Sequence, residues 1–259
     1  MVRGDTDHGE FLKKLKSPLE TNPNGDFVYI ALLILKSFNL TNPDPMKYIE
    51  KFHYITHDIP NLSHVEQAQL ACEAGAKWIQ YRCLSKVDEE LLQDINAIAE
   101  ICDDWGTTLI VTDHVHLNGK ADIQGFHIED MDADFIALRK LVGDDITLGG
   151  SANTLENLIR LASEGADYAG FGPYAATETK PNDYPLLDLE GYQQAIRELE
   201  NKGIDLPVLA VGGIKIYDVE ALMQTGIHGI AVSGAINFAD DFIEAYQDFY
   251  TLVKENAVN

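Results

Sequence analysis

Short β-branched or aromatic runs punctuate the chain from residue 52 onward: Phe52–Thr56, Lys77–Tyr81, Thr107–Thr112, Gly125–Ile128, Ile146–Gly149, Tyr168–Phe171, Pro207–Val211 and Gly229–Val232. Between them apolar positions mostly recur at helical spacing, as in Ser63–Ala74, Asp88–Asp103, Leu155–Ser163, Asp188–Asn201 and Asp218–Gln224. Brief apolar runs bounded by turn formers read as buried strands, and the longer periodic stretches as amphipathic helices. Strands that alternate with helices build a parallel sheet, because each parallel crossover needs a long connection. Eight such units predict closure, so the expected fold class is α/β, a (β/α)8 TIM barrel in a single domain.

A weak internal repeat agrees with this. Ala74-Gly75-Ala76, Glu164-Gly165-Ala166 and Thr225-Gly226-Ile227 each join a helical stretch to a strand, with Gly expected to supply the left-handed cap that stops the helix. An open doubly wound sheet is the main alternative. The first strand is not followed by Gly-x-Gly-x-x-Gly, so dinucleotide binding lacks its signature.

Residues 1–45 break the pattern. They hold Asn-Pro-Asn-Gly at 22–25, one apolar run at Phe27–Leu35 and the breaker-rich Thr41–Pro45. They are expected to form a poorly structured extension, or translated sequence ahead of a native start at Met46, with 46–259 as the catalytic domain; a docked helix over 27–38 is the competing reading. The apolar run is too short to span a bilayer core of ~30 Å, and no signal-peptide cleavage pattern follows it.

Charge narrows the partners. The chain carries 42 Asp and Glu against 19 Lys and Arg, a formal net charge of −23, almost all of it after residue 45. Such a field repels nucleic acid and anionic membrane. Small phosphorylated substrates remain accessible, because backbone N–H groups, one Lys and a divalent cation override the global sign at short range. The cysteines, Cys72, Cys83 and Cys102, show no disulfide or zinc spacing, which fits a reducing, cytoplasmic compartment. The composition is compatible with a homo-oligomer.

In a barrel of this kind chemistry belongs at the C-terminal strand ends. Gln80 and Arg82 flank Tyr81 and are expected to share a face. Thr112-Asp113 ends the third strand, His127 through Asp132 the fourth, and Ser151 the fifth. The sixth delivers Gly172-Pro173 and a polar loop with Thr177, Thr179 and Lys180, which reads either as a phosphate-binding loop or as a surface turn. Gly212-Gly213 after the seventh strand and Ser233-Gly234 after the eighth suit a phosphate site, or merely make tight turns. Asp113 and Asp132 offer oxygen ligands for Mg²⁺, or act as helix N-caps. His127 taken alone reads sooner as a packed polar residue than as a catalytic one.

Taken together and in order, Gln80-Tyr81-Arg82, Thr112-Asp113, Gly125-Phe126-His127-Ile128 with Asp132, Gly150-Ser151-Ala152, Gly172-Pro173 with Thr177–Lys180, Val211–Ile214 and Val232–Ile236 resemble the thiamine-phosphate synthase family. The resemblance implies a (β/α)8 barrel that joins 4-amino-5-hydroxymethyl-2-methylpyrimidine diphosphate to a thiazole phosphate with release of pyrophosphate. It also implies roles. Gln80 would contact the pyrimidine, Arg82 the diphosphate, Ser151 and Lys180 the pyrophosphate, and Asp113 with Asp132 the Mg²⁺. Gly213, Ser233 and the Thr177–Thr179 loop would take the thiazole phosphate, with Thr112, His127, Gly212 and Gly234 lining the substrate site beside them.

The chain departs from the family pattern in four places. Cys83-Leu84 replaces a Glu-Lys or similar pair, leaving Lys86 as the candidate cation. Thr112 replaces Asn, and Ala175-Ala176 an aromatic-Pro pair. Glu129-Asp130 replaces Gly-Gln, setting acid near the diphosphate unless these residues bind metal or face away. Two other functions stay open: a thiazole tautomerase, which in the related family depends on a His where this chain has Asn153, and a non-catalytic phosphate-ligand-binding barrel.

Overall fold

A computed structural model describes residues 47–177 and 184–257. The expected extension at 1–45, together with Thr179 and Lys180, lies outside the described residues. Eight parallel strands close in sequence order, β1 (Phe52–Ile55), β2 (Trp78–Tyr81), β3 (Thr108–Thr112), β4 (Gly125–Ile128), β5 (Thr147–Ala152), β6 (Tyr168–Phe171), β7 (Val208–Val211) and β8 (Gly229–Val232). Pairing of Phe52 with Ile230 and Tyr54 with Val232 seals the barrel.

Around it run α1 (His64–Glu73), α2 (Asp88–Trp105), α3 (Phe135–Val142), α4 (Leu155–Ser163), α5 (Leu189–Asn201), α6 (Val219–Met223), the short α7 (Gly234–Asn237) and α8 (Phe242–Asn256). Side-chain caps set several starts: Ser63 and Glu66 form a capping box on α1, while Asp134, Asp188 and Asp241 cap α3, α5 and α8. The crossover from β3 to β4 is exceptional, for it contains only a 3₁₀ turn, Val115–Leu117. Gly75, Gly165 and Gly226 all take positive φ, as the repeat predicts.

Alternation along the strands sorts side chains into two layers. Phe52, Tyr54, Ile79, Leu109, Val111, Phe126, Leu148, Ala169 and Ile230 point outward into the main core beneath the helices. Trp78, Ile110, Tyr168 and Leu209 instead point inward and, with Ile49, plug the barrel. His53 stacks on Trp78 with ring centroids 4.3 Å apart, and Tyr168 meets both rings edge-on. Gly149 is required here, because a Cβ on it would lie 2.1 Å from the Tyr168 ring. The plug closes the floor and leaves the other end open.

Candidate active site

Above the plug, at the C-terminal strand ends, lies a cavity of about 670 Å³. Its size is that of a small-molecule site. From β2 come Gln80 and Arg82, on one face as the alternation requires, while the Tyr81 side chain points the other way and donates to Asp94 Oδ2 at 3.0 Å. His127 and Glu129 enter from β4, Ser151 and Asn153 from β5, and Thr177 from the loop after β6. Gly212, Gly213 and Lys215 follow β7, and Ser233 with Gly234 follow β8. Most of the expected residues therefore meet in one cavity.

Hydrogen bonds fix their orientation. Gln80 Nε2 donates to Thr112 Oγ1 at 2.9 Å, which places Thr112 behind Gln80. Arg82 pairs with Glu129 through two contacts, Nε to Oε1 at 2.7 Å and Nη2 to Oε2 at 3.3 Å. Glu129 thus neither binds solvent freely nor faces away. His127 bridges Tyr168 OH and Ser151 Oγ, each at 3.1 Å. Burial pushes the Tyr168 phenol pKa well up, so it stays protonated. His127 is both packed and turned toward the cavity, so the two readings of it are not exclusive.

The glycine turns serve backbone approach. Gly212 and Gly213 have φ of 94° and 65°, and a Cβ on Gly213 would lie 2.5 Å from Ala176 O and 2.8 Å from Ala175 O. Tyr174 N donates to Val211 O and Ala175 N to Gly212 O, so the loop after β6 lies directly along the loop after β7. Ser233 Oγ accepts from Asn237 Nδ2 at 3.1 Å at the start of α7.

Asp113 and Asp132 do not line the cavity. Asp113 has φ of 58°, and its Oδ1 accepts from Glu129 N at 2.9 Å. Asp132 is exposed, with its N–H on Asp130 Oδ1. Neither is a helix cap: Asp134 caps α3, and Asp113 holds the end of β4. Their donors are carboxylate oxygens alone, the chemistry suited to Mg²⁺, which commonly takes one or two protein carboxylates and completes its shell with water and substrate phosphate.

Lys86, the candidate cation, is engaged elsewhere. Its Nζ binds Asp94 Oδ2 at 2.6 Å on α2, a contact that holds its pKa above the ordinary lysine value, and it does not line the cavity. Lys215, a cation absent from the sequence expectations, does line the cavity. It follows Gly212-Gly213 by two residues, within the same turn after β7.

A family profile described as thiamine monophosphate synthase matches residues 52–236. Thiamine-phosphate synthase of Bacteroides fragilis is 40% identical over 191 residues, covering 74% of this chain and 94% of that protein. The Bacteroides thetaiotaomicron thiamine-phosphate synthase is 38% identical, covering 73% and 90%. A solved thiamine phosphate pyrophosphorylase from Pyrococcus furiosus superposes with a TM-score of 0.70 at 25% identity, covering 80% of this chain and 96% of that one. With the profile spanning most of the chain and these relatives aligned over nearly their whole length, the chain belongs to the thiamine monophosphate synthase family.

Proposed function

We propose that this chain is a thiamine-phosphate synthase, a transferase that moves the pyrimidinylmethyl group from its diphosphate to the nitrogen of a thiazole phosphate. One observation carries the reading: Gln80, Arg82, Ser151, Thr177, Gly213 and Ser233, from five different strand ends, surround one cavity. The C–O bond to the diphosphate breaks, the thiazole nitrogen supplies the electron pair of the new C–N bond, and pyrophosphate leaves. Negative charge grows on the leaving group and positive charge on carbon, so the site needs preorganised cations and donors more than a base.

Arg82 meets the diphosphate, which displaces Glu129 from the guanidinium fork. Gln80, with its amide N–H₂ engaged by Thr112, presents Oε1 to the amino group of the pyrimidine. When Tyr168 donates to His127 Nδ1, His127 Nε2–H donates to Ser151 Oγ and leaves the serine proton for the departing pyrophosphate. Thr177, Gly213, Ser233 and Gly234 receive the thiazole phosphate together with Thr179, and Lys180 meets the departing pyrophosphate, the last two being assigned from sequence. Asp113 and Asp132 would hold Mg²⁺, which supplies charge neutralisation on the diphosphate.

Residues 46–259 are taken as the catalytic domain. No helix among the described residues is long and apolar enough to cross a membrane. All three cysteines are free and buried, which supports a reducing, cytoplasmic setting. Asn153 lines the cavity where a tautomerase would need a titratable ring, and an amide cannot shuttle that proton. The test is a coupling assay with both substrates and Mg²⁺. Formation of thiamine phosphate that stops on chelation is expected, and binding of either phosphate without turnover would overturn the reading.

A further inference from the structure

Three donor side chains converge beside, but outside, the cavity. Asp58 lies between β1 and α1, His64 opens α1, and Cys83 follows Arg82 after β2. Asp58 Oδ1 is 3.4 Å from His64 Nε2 and 3.4 Å from Cys83 Sγ, and all three donor atoms lie within 4.8 Å of one another. His64 and Cys83 are 4% and 6% exposed, so the cluster is shielded on the barrel side. We propose that Asp58, His64 and Cys83 form a binding site for a zinc-class divalent cation, with the fourth coordination position open toward Ser85.

The spacing supports this. Tetrahedral Zn²⁺ bonds of roughly 2.0 Å to oxygen and nitrogen and about 2.3 Å to sulfur imply ligand edges of about 3.3 Å for N–O and about 3.5 Å for S–O. Both observed separations match those edges before any ion is added. The donors are also held from behind. His64 Nδ1 is 2.7 Å from Thr56 Oγ1, which fixes the ring and aims Nε2 at the cluster. Asp58 Oδ2 accepts from Leu84 N at 2.8 Å, leaving Oδ1 to face the other two. An outer shell of this kind is what orients metal ligands. Ser85 Oγ donates to Asp58 Oδ1 and sits 3.7 Å from Cys83 Sγ, at the edge where water or the hydroxyl would complete the set.

Thiolate and imidazole together select zinc-class ions over Mg²⁺. The site is therefore chemically separate from the carboxylates of Asp113 and Asp132. An ion there would pin the loop after β1 to the loop after β2 and fix the backbone next to Arg82. Cys83 directly precedes Leu84, the position at which the family pattern places a diphosphate-facing Lys, and its Sγ points to Asp58 Oδ1.

Co²⁺ titration of the full, chelator-stripped chain tests the proposal. One equivalent should produce a thiolate-to-cobalt charge-transfer band in the near ultraviolet, bleached by Zn²⁺, absent in Cys83→Ser and weakened at least about tenfold in affinity in His64→Gln. The Asp88, His114 and His116 group contains no thiolate and cannot give this band. A wild-type chain with no band, or a band undiminished in Cys83→Ser, would overturn the proposal. Far-ultraviolet circular dichroism establishes that each variant is folded, and if Cys83→Ser is not, an unchanged affinity in folded His64→Gln overturns it equally.

Discussion

Arg82 and Glu129 face each other across the mouth of the barrel, joined by Nε to Oε1 at 2.7 Å and Nη2 to Oε2 at 3.3 Å, with side chains only 8% and 18% exposed. A guanidinium fork engages a carboxylate and a phosphate through the same parallel N–H donors. On the proposed function, in which Arg82 meets the diphosphate, Glu129 would hold the guanidinium in place and compete with the diphosphate for it. The acid that looked like a liability in the sequence would then act as a placeholder.

Glu129→Gln should separate these two effects. The amide keeps the shape and loses the charge, so pyrophosphate no longer competes with an anion, and its affinity should rise roughly fivefold, about 1 kcal/mol. The free protein should become less stable by about 1–3 kcal/mol, because a poorly solvated cation loses an anionic partner. Melting curves with and without pyrophosphate read both. A ligand-induced rise in Tm no larger than that of the wild type would contradict the placeholder role.

Lys180→Ala should lower the coupling rate by about 10²-fold or more, the scale for losing one preorganised charge on a leaving group. Chelation of Mg²⁺ should also stop coupling. Steady-state assays that vary each substrate will distinguish the two, since Lys180 is assigned to the departing pyrophosphate and its loss should fall on kcat. A Lys180→Ala variant with unchanged kcat removes it from the reaction.

Gly213→Ala should harm thiazole phosphate binding more than it harms folding. Its φ of 65° disfavours any side chain, and the added Cβ would press on the Ala175 and Ala176 carbonyls, displacing the loop that carries Thr177. Strain of this kind costs about 1–3 kcal/mol. The KM for thiazole phosphate should rise about tenfold or more while the KM for the pyrimidine diphosphate moves less. Equal increases in both would point to general loosening of the site.

The strands were legible because each is a short apolar run whose alternation matches a buried layer. Gln80, Tyr81 and Arg82 show the rule at its clearest, with the two polar residues inward and Tyr81 outward. The start of β5 was equally clear, but its end was not: the strand continues through Gly150 and Ser151 to Ala152, residues with no strand preference that are held by pairing with β6. Partners distant in sequence were hidden for the same reason. Nothing local to Glu129 names Arg82, and nothing local to Lys86 names Asp94 on the helix that draws it away. Asp58, His64 and Cys83 lie in three separate segments, so no motif spacing announces them.

Glu50 ties the floor of the barrel to α8 and gives the fold a defined acid limit. Its side chain is 2% exposed and accepts from Lys254 Nζ at 3.0 Å, Lys51 N at 2.8 Å and Tyr48 OH at 2.9 Å. Burial raises its pKa, but the bonds from Lys254, Lys51 and Tyr48 outweigh burial and hold the carboxyl below the ordinary glutamate value. A depressed folded pKa means stability that is complete above the unfolded value of about 4.3 and lost as pH falls through the lower folded value. Glu50→Gln should therefore cost about 1–3 kcal/mol near neutral pH. The gap between the two proteins should be constant from pH 7 to roughly 5 and shrink below about 4, where the wild-type carboxyl takes up its proton. Urea midpoints measured across that range decide the matter: a gap that stays open down to the acid transition would mean that Glu50 stabilises the protein by packing alone.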